Sequence, residues 1–318
     1  MRRLILHGLI ALACWLVLLS PESLPADGDP SPAFHAGDVL DVRTGRPTTF
    51  DQLTTELTAV EVIYLGEEHQ HRSHIEAGLK ILSALLKQDR RPVLGLEMFG
   101  WDGQAGLDRY LADPDMPRDR FLEEARWKQN WGGAFEEYEP LISFARTHRL
   151  VTLALNPPKP LVRRVATEGW QQAQGDPEMA RWGMPEAVPD DPAYRERIFT
   201  QLRSCHPGLS EDLYQRMYEA SLFRDEGMAK TITDALRRLP AGGGPIVSYT
   251  GGGHIQYRLP VPNRVLRRAR RALRQTTIYL TSFAPDRAAE IRTLLRDSIA
   301  DYVWLTPLSP HGPTRRCL

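Results

Sequence analysis

The sequence predicts a three-layer α/β fold, in which a sheet carries helices on both faces, together with a smaller helical part. The first observation is that short apolar, β-branched runs alternate along the chain with segments of helical periodicity. The second is that three of these runs, at 62–67, 92–98 and 246–254, lead into glutamate or histidine. Ligands of open α/β sheets bind at the carboxyl ends of the strands, so the same pattern predicts where the functional site lies.

The composition restricts the class of protein. Of the 318 residues, 42% are hydrophobic and 25% are charged, which is typical of a globular protein and not of a disordered one. Lysine plus arginine number 40, and aspartate plus glutamate also number 40. This balance does not indicate a nucleic-acid partner, and none is expected.

The first 26 residues have the pattern of a secretory signal peptide. Arg2 and Arg3 precede a mostly apolar run at 4–19, and a short polar segment follows that ends at Ala26. We therefore predict an exported, periplasmic protein, with an uncleaved, membrane-associated segment as the alternative. Only two cysteines follow this segment, too few for a disulfide framework.

The rest of the chain divides into a linker with a small hairpin at 27–50 and one main domain at 51–310. A short helix capped by Asp51 opens the main domain, and a long helix begins at Ser210 as its N-cap. The predicted strands of the main domain lie at 62–65, where a turn is expected at Gly66, and at 92–98, 150–155, 246–250, 276–283 and 300–305. Helices are predicted between them, with helical insertions around 100–148 and 170–238.

Ionisable side chains gather where the first main-domain strand meets its helix. Within ten residues the chain carries Glu67, Glu68, His69, His71, His74 and Glu76. One interpretation is that Glu67 and Glu68 stabilise the N-terminus of the helix electrostatically. His71 and His74 are three residues apart and can share a helix face, as solvated histidines also do.

Glutamate and histidine at three strand ends also match the ligands that hold Zn, Fe or Mn. The predicted metal ligands are Glu67, His69, Glu97 and His254. A metal with an open coordination position would activate water for hydrolysis, with Glu67, Glu97 and His254 as catalytic residues. The chain contains neither an HExxH motif nor a Gly-x-Ser-x-Gly motif, so neither a zincin site nor a nucleophilic serine is indicated.

A further pattern is aromatic. Trp127, Trp131, Phe135 and Tyr138 would lie on one side of a helix if the segment were continuous. Such a stripe is either part of the core or a wall for a flat cofactor, with Tyr138 as the candidate iron ligand. The arginine-rich helix at 264–273 is either a solvated face or a surface for anionic lipid or haem propionates.

These residues fall in motifs that resemble the ChaN family of haem-binding uptake proteins, which groups with Tiki proteases and erythromycin esterases. The matching segments are LGEEH at 65–69 with His74, GLEMF at 95–99, LDRYL at 107–111, YEPL at 138–141, LNP at 155–157, RDEGMA at 224–229 and GGGH at 251–254. They occur in the family's order between residues 58 and 265. An aspartate is usual in the family just after the first motif, where this chain has His71 between Gln70 and Arg72.

The resemblance implies an α/β sheet with a helical domain and haem bound between two subunits, ligated by a tyrosine of one and met by basic groups of the other. We therefore predict an exported haem-binding homodimer that acts in haem or iron uptake, with outer-membrane uptake machinery as a partner. The predicted haem-binding residues are Tyr138, His69, Glu67, Glu97, His254 and Trp131. A metal-dependent hydrolase with Zn or Mn is the alternative, and a solute-binding module without metal is a third interpretation.

Overall fold

The computed structural model describes residues 33–184, 191–240 and 243–309, so the predicted signal peptide at 1–26 lies outside the described residues. Within them, eight strands form one mixed sheet. The strands are β1 (Val39–Asp41), β2 (Arg46–Thr48), β3 (Val62–Glu67), β4 (Val93–Gly100), β5 (Thr152–Asn156), β6 (Ile246–Gly251), β7 (Gln275–Ser282) and β8 (Tyr302–Thr306). Their order across the sheet is β2-β1-β8-β7-β3-β6-β4-β5.

The helices of the described residues are α1 (Phe50–Leu57), α2 (Arg72–Lys87), α3 (Gln104–Ala112), α4 (Arg118–Glu124), α5 (Trp127–Asn130), α6 (Phe135–Thr147), α7 (Lys159–Glu168), α8 (Trp170–Ala173), α9 (Pro177–Arg181), α10 (Pro192–Cys205), α11 (Glu211–Arg238), α12 (Val261–Ala269) and α13 (Ala288–Arg296). Short 3-10 turns lie at Trp101–Gly103, Gly252–His254, Gln256–Arg258 and Pro285–Arg287. None of these helices combines the length and apolar character that crossing a bilayer requires.

The six strands β3 to β8 run parallel to their neighbours, and the hairpin of β1 and β2 is added antiparallel to β8. The central strand β3 pairs with both β6 and β7, so that Val62 lies opposite both Ile246 and Gln275. Parallel neighbours need crossover connections, which the helices between successive strands supply. The predicted hairpin within 27–50 and the predicted α/β fold class are confirmed.

Alternation of side chains along β3 divides the core into two layers. Ile63 and Leu65 pack in a cluster with residues of α1 to α6. Val62 and Tyr64 point to the opposite face and pack in a cluster with residues of α11, α12 and α13. Successive side chains of a strand point to opposite faces, so the fully buried β3 is apolar on both sides.

Two local predictions were wrong. The N-cap of α1 is Thr49, not Asp51, because Thr49 and Gln52 exchange the reciprocal hydrogen bonds of a capping box. The aromatic segment is not one helix either: α5 ends at Asn130 and Gly132 has a φ of +82°, so the chain turns before α6 begins. A glycine adopts this left-handed conformation at little cost, which explains the break. Ser210 is confirmed as the N-cap of α11.

Candidate functional site

The carboxyl ends of β3, β6 and β4 lie side by side in the centre of the sheet. Glu67 ends β3 opposite Gly251 at the end of β6, and His254 follows in the Gly252–His254 turn. Glu97 lies near the end of β4, on the other side of β6. Since β6 is placed between β3 and β4, residues far apart in the sequence meet at one edge. This confirms that the predicted strand ends share the edge where ligands of such sheets bind.

Glu67 continues the side-chain direction of Ile63 and Leu65 and therefore faces the layer of α6. The hydroxyls of Tyr138 and Tyr249 donate to its two carboxylate oxygens, each at 2.8 Å. His69 Nδ1 lies 2.9 Å from Glu67 Oε1. Burial raises the pKa of Glu67, and the hydrogen bonds from His69 and the two tyrosines oppose that shift. Three hydrogen-bonding partners thus hold a carboxylate that has no solvent exposure.

Glu97 points to the opposite face, toward α11. Its Oε2 accepts a hydrogen bond of 2.6 Å from the backbone N–H of Gly251. Its Oε1 forms an ion pair with Arg224 of α11 and lies 3.3 Å from His254 Nε2. Burial opposes ionisation, but the charges of His254 and Arg224 hold the pKa of Glu97 well below its usual range. Glu97 is therefore a buried anion with charged partners, the arrangement in which a buried carboxylate can remain ionised.

His254 lies between two carboxylates. Its Nδ1 is 2.6 Å from Asp225 Oδ1, and Tyr194 donates to Asp225 Oδ2 at 2.5 Å. Burial lowers the pKa of His254, but Glu97 and Asp225 outweigh it and raise the pKa to about 9. At neutral pH the imidazole is therefore protonated. In this state His254 is an acid and a hydrogen-bond donor, and its imidazole would have to lose a proton before it could ligate a metal.

The raised pKa makes folding stability depend on pH. The contribution of His254 is fully present below its ordinary pKa of 6.5 and is lost as the pH rises through about 9. A shift of this size corresponds to about 3 kcal/mol, which His254 shares with its partner Glu97. We expect His254→Gln to destabilise the protein strongly at about pH 6 and only weakly at about pH 10 in denaturant unfolding. An equal loss at both pH values would mean that folded His254 is neutral.

A cleft of about 470 Å³ opens beside these residues. It is lined by His69, Gln70, Glu97, Asn130, Trp131, Gly133, Asn156, Pro157, Lys159, Val162 and Arg224. The His69 side chain is 46% exposed, and its ring meets the Trp131 ring edge to face with centroids 4.9 Å apart. Burial opposes protonation of His69, but the hydrogen bond to Glu67 and the charge of Glu97 raise its pKa. The cleft thus has an imidazole, an indole and two cations, Lys159 and Arg224, on its walls.

Gly251 allows His69 to approach the sheet. A Cβ atom at Gly251 would lie 2.8 Å from His69 Cε1 and 3.0 Å from His69 Nε2. Real Cβ contacts are longer than this, so any other residue here would push the imidazole away. The first glycine of the GGGH segment therefore leaves room for the ring of His69 against the end of β6.

The predicted site residues fall in different places. His69, Glu97 and Trp131 line the cleft, and Glu67 lies behind His69. Tyr138 is 1% exposed; its hydroxyl donates to Glu67 and accepts from the backbone N–H of Gln70. Burial, followed by the charge of Glu67, raises the pKa of Tyr138. Ligation of iron by Tyr138 therefore stays a prediction, and it would require the phenol to leave Glu67 and lose its proton.

The predicted metal ligands form two directly contacting pairs, Glu67 with His69 and Glu97 with His254, and the charge of Glu97 also acts on His69. In the described part of the chain, Glu68, His71 and His74 are the only three candidate ligands whose atoms lie within 4.8 Å of one another. The proposed electrostatic capping of α2 is not supported, because the helix begins at Arg72 and has no acidic residue in its first turn. The carboxylate of Glu67 is directed to the tyrosines instead.

Sequence reasoning missed Arg224, Asp225 and Tyr249 as site residues. Tyr249 is in a buried strand, and its hydroxyl gives no sequence signal. Asp225 lies on α11 among buried apolar residues such as Phe223 and Met228, whereas the side chain of Arg224 next to it is partly exposed. Charged residues at core positions of a helix are rare unless they are paired, so this pattern was a usable signal.

Comparisons with known proteins identify a family and a shared fold. A family model described as haem-binding uptake, Tiki superfamily, ChaN matches residues 53–265. The solved structure of ChaN from Campylobacter jejuni, described as showing cofacial heme binding, is similar with a TM-score of 0.63 and 18% identity, over 84% of this chain and 95% of that one. An erythromycin esterase variant in its open conformation matches at a TM-score of 0.44 and 15% identity, over 78% of this chain and 76% of that one. No curated protein matches the chain.

At 18% identity, the likeness to Campylobacter jejuni ChaN shows the shared fold. The family model covers more than half of the chain, from α1 to α12, and contains the three strand ends of the candidate site. The resemblance read from the sequence motifs is therefore confirmed. This chain belongs to the ChaN family of haem-binding uptake proteins in the Tiki superfamily.

Proposed function

We propose that the protein binds haem in the cleft beside His69 and acts in haem or iron uptake. The observation that carries this proposal is an exposed imidazole held by a buried carboxylate, because Glu67 engages His69 Nδ1. A hydrogen bond from Nδ1–H to a carboxylate leaves the lone pair on Nε2, which is the nitrogen that ligates a metal. Haem would supply an iron with an open coordination position, and His69 Nε2 is the atom of this chain that we assign to hold it.

The walls of the cleft suit a flat, anionic ligand. Trp131 presents an indole next to His69, and an apolar porphyrin face needs such a surface. Lys159 and Arg224 provide positive charge on the same walls, which suits carboxylates such as propionates. The cleft volume of about 470 Å³ lies within the range of small-molecule sites, roughly 300–1,000 Å³.

We also propose that the protein is exported to the periplasm and works as a homodimer. The basic, apolar and small-residue pattern of the first 26 residues supports export. Cofacial heme binding is described for ChaN of Campylobacter jejuni, and a cofacial arrangement in this chain would require two copies whose clefts face each other. Outer-membrane uptake machinery would then receive haem from, or deliver it to, this dimer.

Titration of haem into the purified protein tests the proposal. We expect a saturable absorption change with a defined stoichiometry, and a rise in molecular mass from monomer to dimer in light scattering as haem is added. No saturation, or the same spectrum with a variant whose cleft is filled by Gly133→Trp, would remove the basis of the proposal. Saturation without a change in mass would reject the dimer and retain haem binding.

Haem affinity should fall as the pH is lowered. Protonated His69 has no lone pair for iron, and hydrogen bonding to Glu67 together with the charge of Glu97 raises the pKa of His69 above its ordinary value of 6.5. Competition by protons therefore begins at a higher pH than for a free histidine. The measurement is the haem dissociation constant between about pH 5 and pH 9. A flat profile would show that the ligand does not titrate in this range.

A metal-dependent hydrolase is the second candidate. The observation that favours it is the chain of contacts from Glu97 through His254 to Asp225, which holds a protonated imidazole beside the cleft. Such a group can protonate a leaving group when a nearby metal activates water. This function would be lost in both Glu67→Ala and His254→Ala, whereas haem affinity should be reduced in Glu67→Ala, which removes the hydrogen-bond partner of His69, and retained in His254→Ala.

A further inference from the structure

A second polar cluster lies at the same edge of the sheet. Glu68, His71 and His74 place their candidate ligand atoms within 4.8 Å of one another, and none of them belongs to the cleft. All three are buried, with exposures of 7%, 3% and 0% respectively. We call these three residues the Glu68 cluster.

The Glu68 cluster is built against β7 and β8, on the side of β3 away from β6. The Glu68 carboxylate accepts hydrogen bonds from Thr281 Oγ1 at 3.2 Å and from Ser282 Oγ at 3.1 Å. His74 Nε2 lies 3.0 Å from Thr306 Oγ1 at the end of β8. Glu67, the preceding residue, faces Tyr138 and Tyr249 instead. Adjacent residues at the end of one strand thus contribute to two different sites.

His71 is the residue that points to a ligand. Its ring stacks on His74, with centroids 4.1 Å apart and an interplanar angle of 15°. Both of its ring nitrogens are buried and have no hydrogen-bond partner among the residues that the structure describes. Buried imidazole nitrogens are otherwise paired, because an unpaired buried polar group is costly. The unpartnered ring lies within ligand distance of a carboxylate and a second imidazole.

We propose that the Glu68 cluster binds one divalent transition ion of the zinc type, independently of the haem cleft. Two imidazoles and one carboxylate suit Zn²⁺, whereas Mg²⁺ and Ca²⁺ prefer all-oxygen sites. Ligand atoms around a tetrahedral zinc are roughly 3.4 Å apart, given bonds of about 2.0–2.1 Å, so small side-chain rotations close the present arrangement. Three protein ligands leave the fourth position of a tetrahedral ion to water, and the burial of all three shields the ion from bulk solvent.

The hydrogen bonds of His74 determine which nitrogen would ligate. The backbone N–H of Glu68 donates to His74 Nδ1 at 2.9 Å, so the neutral ring carries its proton on Nε2 and donates to Thr306. Metal binding would replace the Glu68 N–H at Nδ1 and keep the Nε2–H contact to the hydroxyl of Thr306. Histidines that ligate a metal usually donate their other ring N–H to an oxygen in this way.

Zinc binding to the purified full chain, after removal of metal with a chelator, tests the proposal. We expect one equivalent of Zn²⁺ to bind and to raise the unfolding temperature, and Co²⁺ to give the intense visible absorption of a tetrahedral site. His71→Phe keeps a ring stacked on His74 and removes only the nitrogens. Thr306→Val removes only the hydroxyl that hydrogen-bonds His74 and should weaken zinc binding by roughly 10–100-fold. His71→Phe removes a ligand and should weaken zinc binding more than Thr306→Val does.

Matched variants separate this site from the cleft. His69→Ala should retain the zinc equivalent, and His71→Phe should retain wild-type haem binding. Metal-free His71→Phe should unfold at or above the temperature of the metal-free wild type, since two unpaired nitrogens are removed. Glu68→Gln, which keeps an acceptor oxygen and loses the charge, provides a second test should His71→Phe fail to fold. The proposal is overturned when the wild type binds no zinc, when the ligand variants bind it normally, or when His69→Ala loses it.

Discussion

Haem titrated into the His69→Ala variant should produce no saturable absorption change, whereas His206→Ala should behave like the wild type. His69 is the exposed imidazole of the cleft, and removal of an axial ligand leaves only contacts to the porphyrin and its carboxylates. His206 is an exposed histidine at the end of α10 and lies outside the cleft, so it controls for nonspecific binding of haem to surface histidines.

Glu67→Gln tests how much the contact between His69 and the charged carboxylate of Glu67 contributes to haem affinity. The glutamine oxygen can still accept from His69 Nδ1, but the charge that favours a basic imidazole is gone. Loss of the group that hydrogen-bonds a metal-ligating histidine reduces metal affinity by about 10–100-fold. We therefore expect the haem affinity of this variant to lie between that of the wild type and that of His69→Ala. The two variants together give a graded series from wild type through Glu67→Gln to His69→Ala.

Tyr138→Phe distinguishes the histidine from the tyrosine prediction. With His69 as the ligand, the spectrum of this variant keeps the features of imidazole ligation, although the affinity falls because Glu67 loses one of its hydrogen-bond donors. A tyrosinate charge-transfer band in the wild type that disappears in Tyr138→Phe, together with normal binding by His69→Ala, would refute our assignment. It would establish that the phenol leaves Glu67 to bind iron.

Glu226→Ala should lower the free energy of unfolding by about 3–5 kcal/mol. This is the largest stability effect that we expect from the loss of one buried charged residue. Glu226 lies on α11 with 3% exposure and pairs with Arg264 of α12, whose side chain has no exposure. Arg267 and Arg268 pair with the same carboxylate, at 3.1 and 2.6 Å. Removal of Glu226 leaves a buried guanidinium with neighbouring positive charges and no counter-ion.

The matched control is Arg271→Ala. Arg271 also belongs to the arginine-rich segment, but it is half-exposed and pairs with Glu61 near the surface. Exposed ion pairs contribute about 0–1 kcal/mol, so this variant should be nearly neutral in the same denaturant unfolding experiment. Similar effects for both variants would show that water reaches Arg264 after Glu226 is removed.

This result also bears on the predicted role of the arginine-rich helix. The sequence suggested either a solvated basic face or a surface for lipid or propionates. Three arginines of α12 bind Glu226, and Arg271, which follows the end of the helix at Ala269, binds Glu61, so much of the positive charge of this segment is neutralised within the fold. The helix begins at Val261, earlier than predicted, because Pro262 occupies its first turn, where a proline needs no N–H partner.

Local sequence patterns are enough to predict the fold class and the edge of the sheet that carries the site. Strands such as β3 and β6 are short apolar runs with nearby turn residues, and their period and composition are local properties. The polar residues that follow them lie at carboxyl ends by necessity, so the placement of Glu67 and His254 at one edge needed only the assumption of a parallel sheet. The family motifs gave the same result.

Which of these residues contact one another depends on the tertiary structure. Insertion of β6 between β3 and β4 puts Gly251 between Glu67 and Glu97, and neither strand order nor register is encoded in a local pattern. The direction of each side chain then assigns its partners: Glu67 faces two tyrosines, Glu97 faces Arg224 of α11, and Glu68 faces β7.

The same limit explains why the acidic and histidine-rich segment at the end of β3 looks like one cluster in the sequence. Glu67, Glu68, His69 and His71 lie within five residues, and their spacing cannot show which of two neighbouring strands each one contacts. Packing of the helix layers on both faces of the sheet separates them, because opposite faces of one strand contact different elements. Contacts between elements that are far apart in the sequence, not local periodicity, therefore distinguish the cleft from the Glu68 cluster.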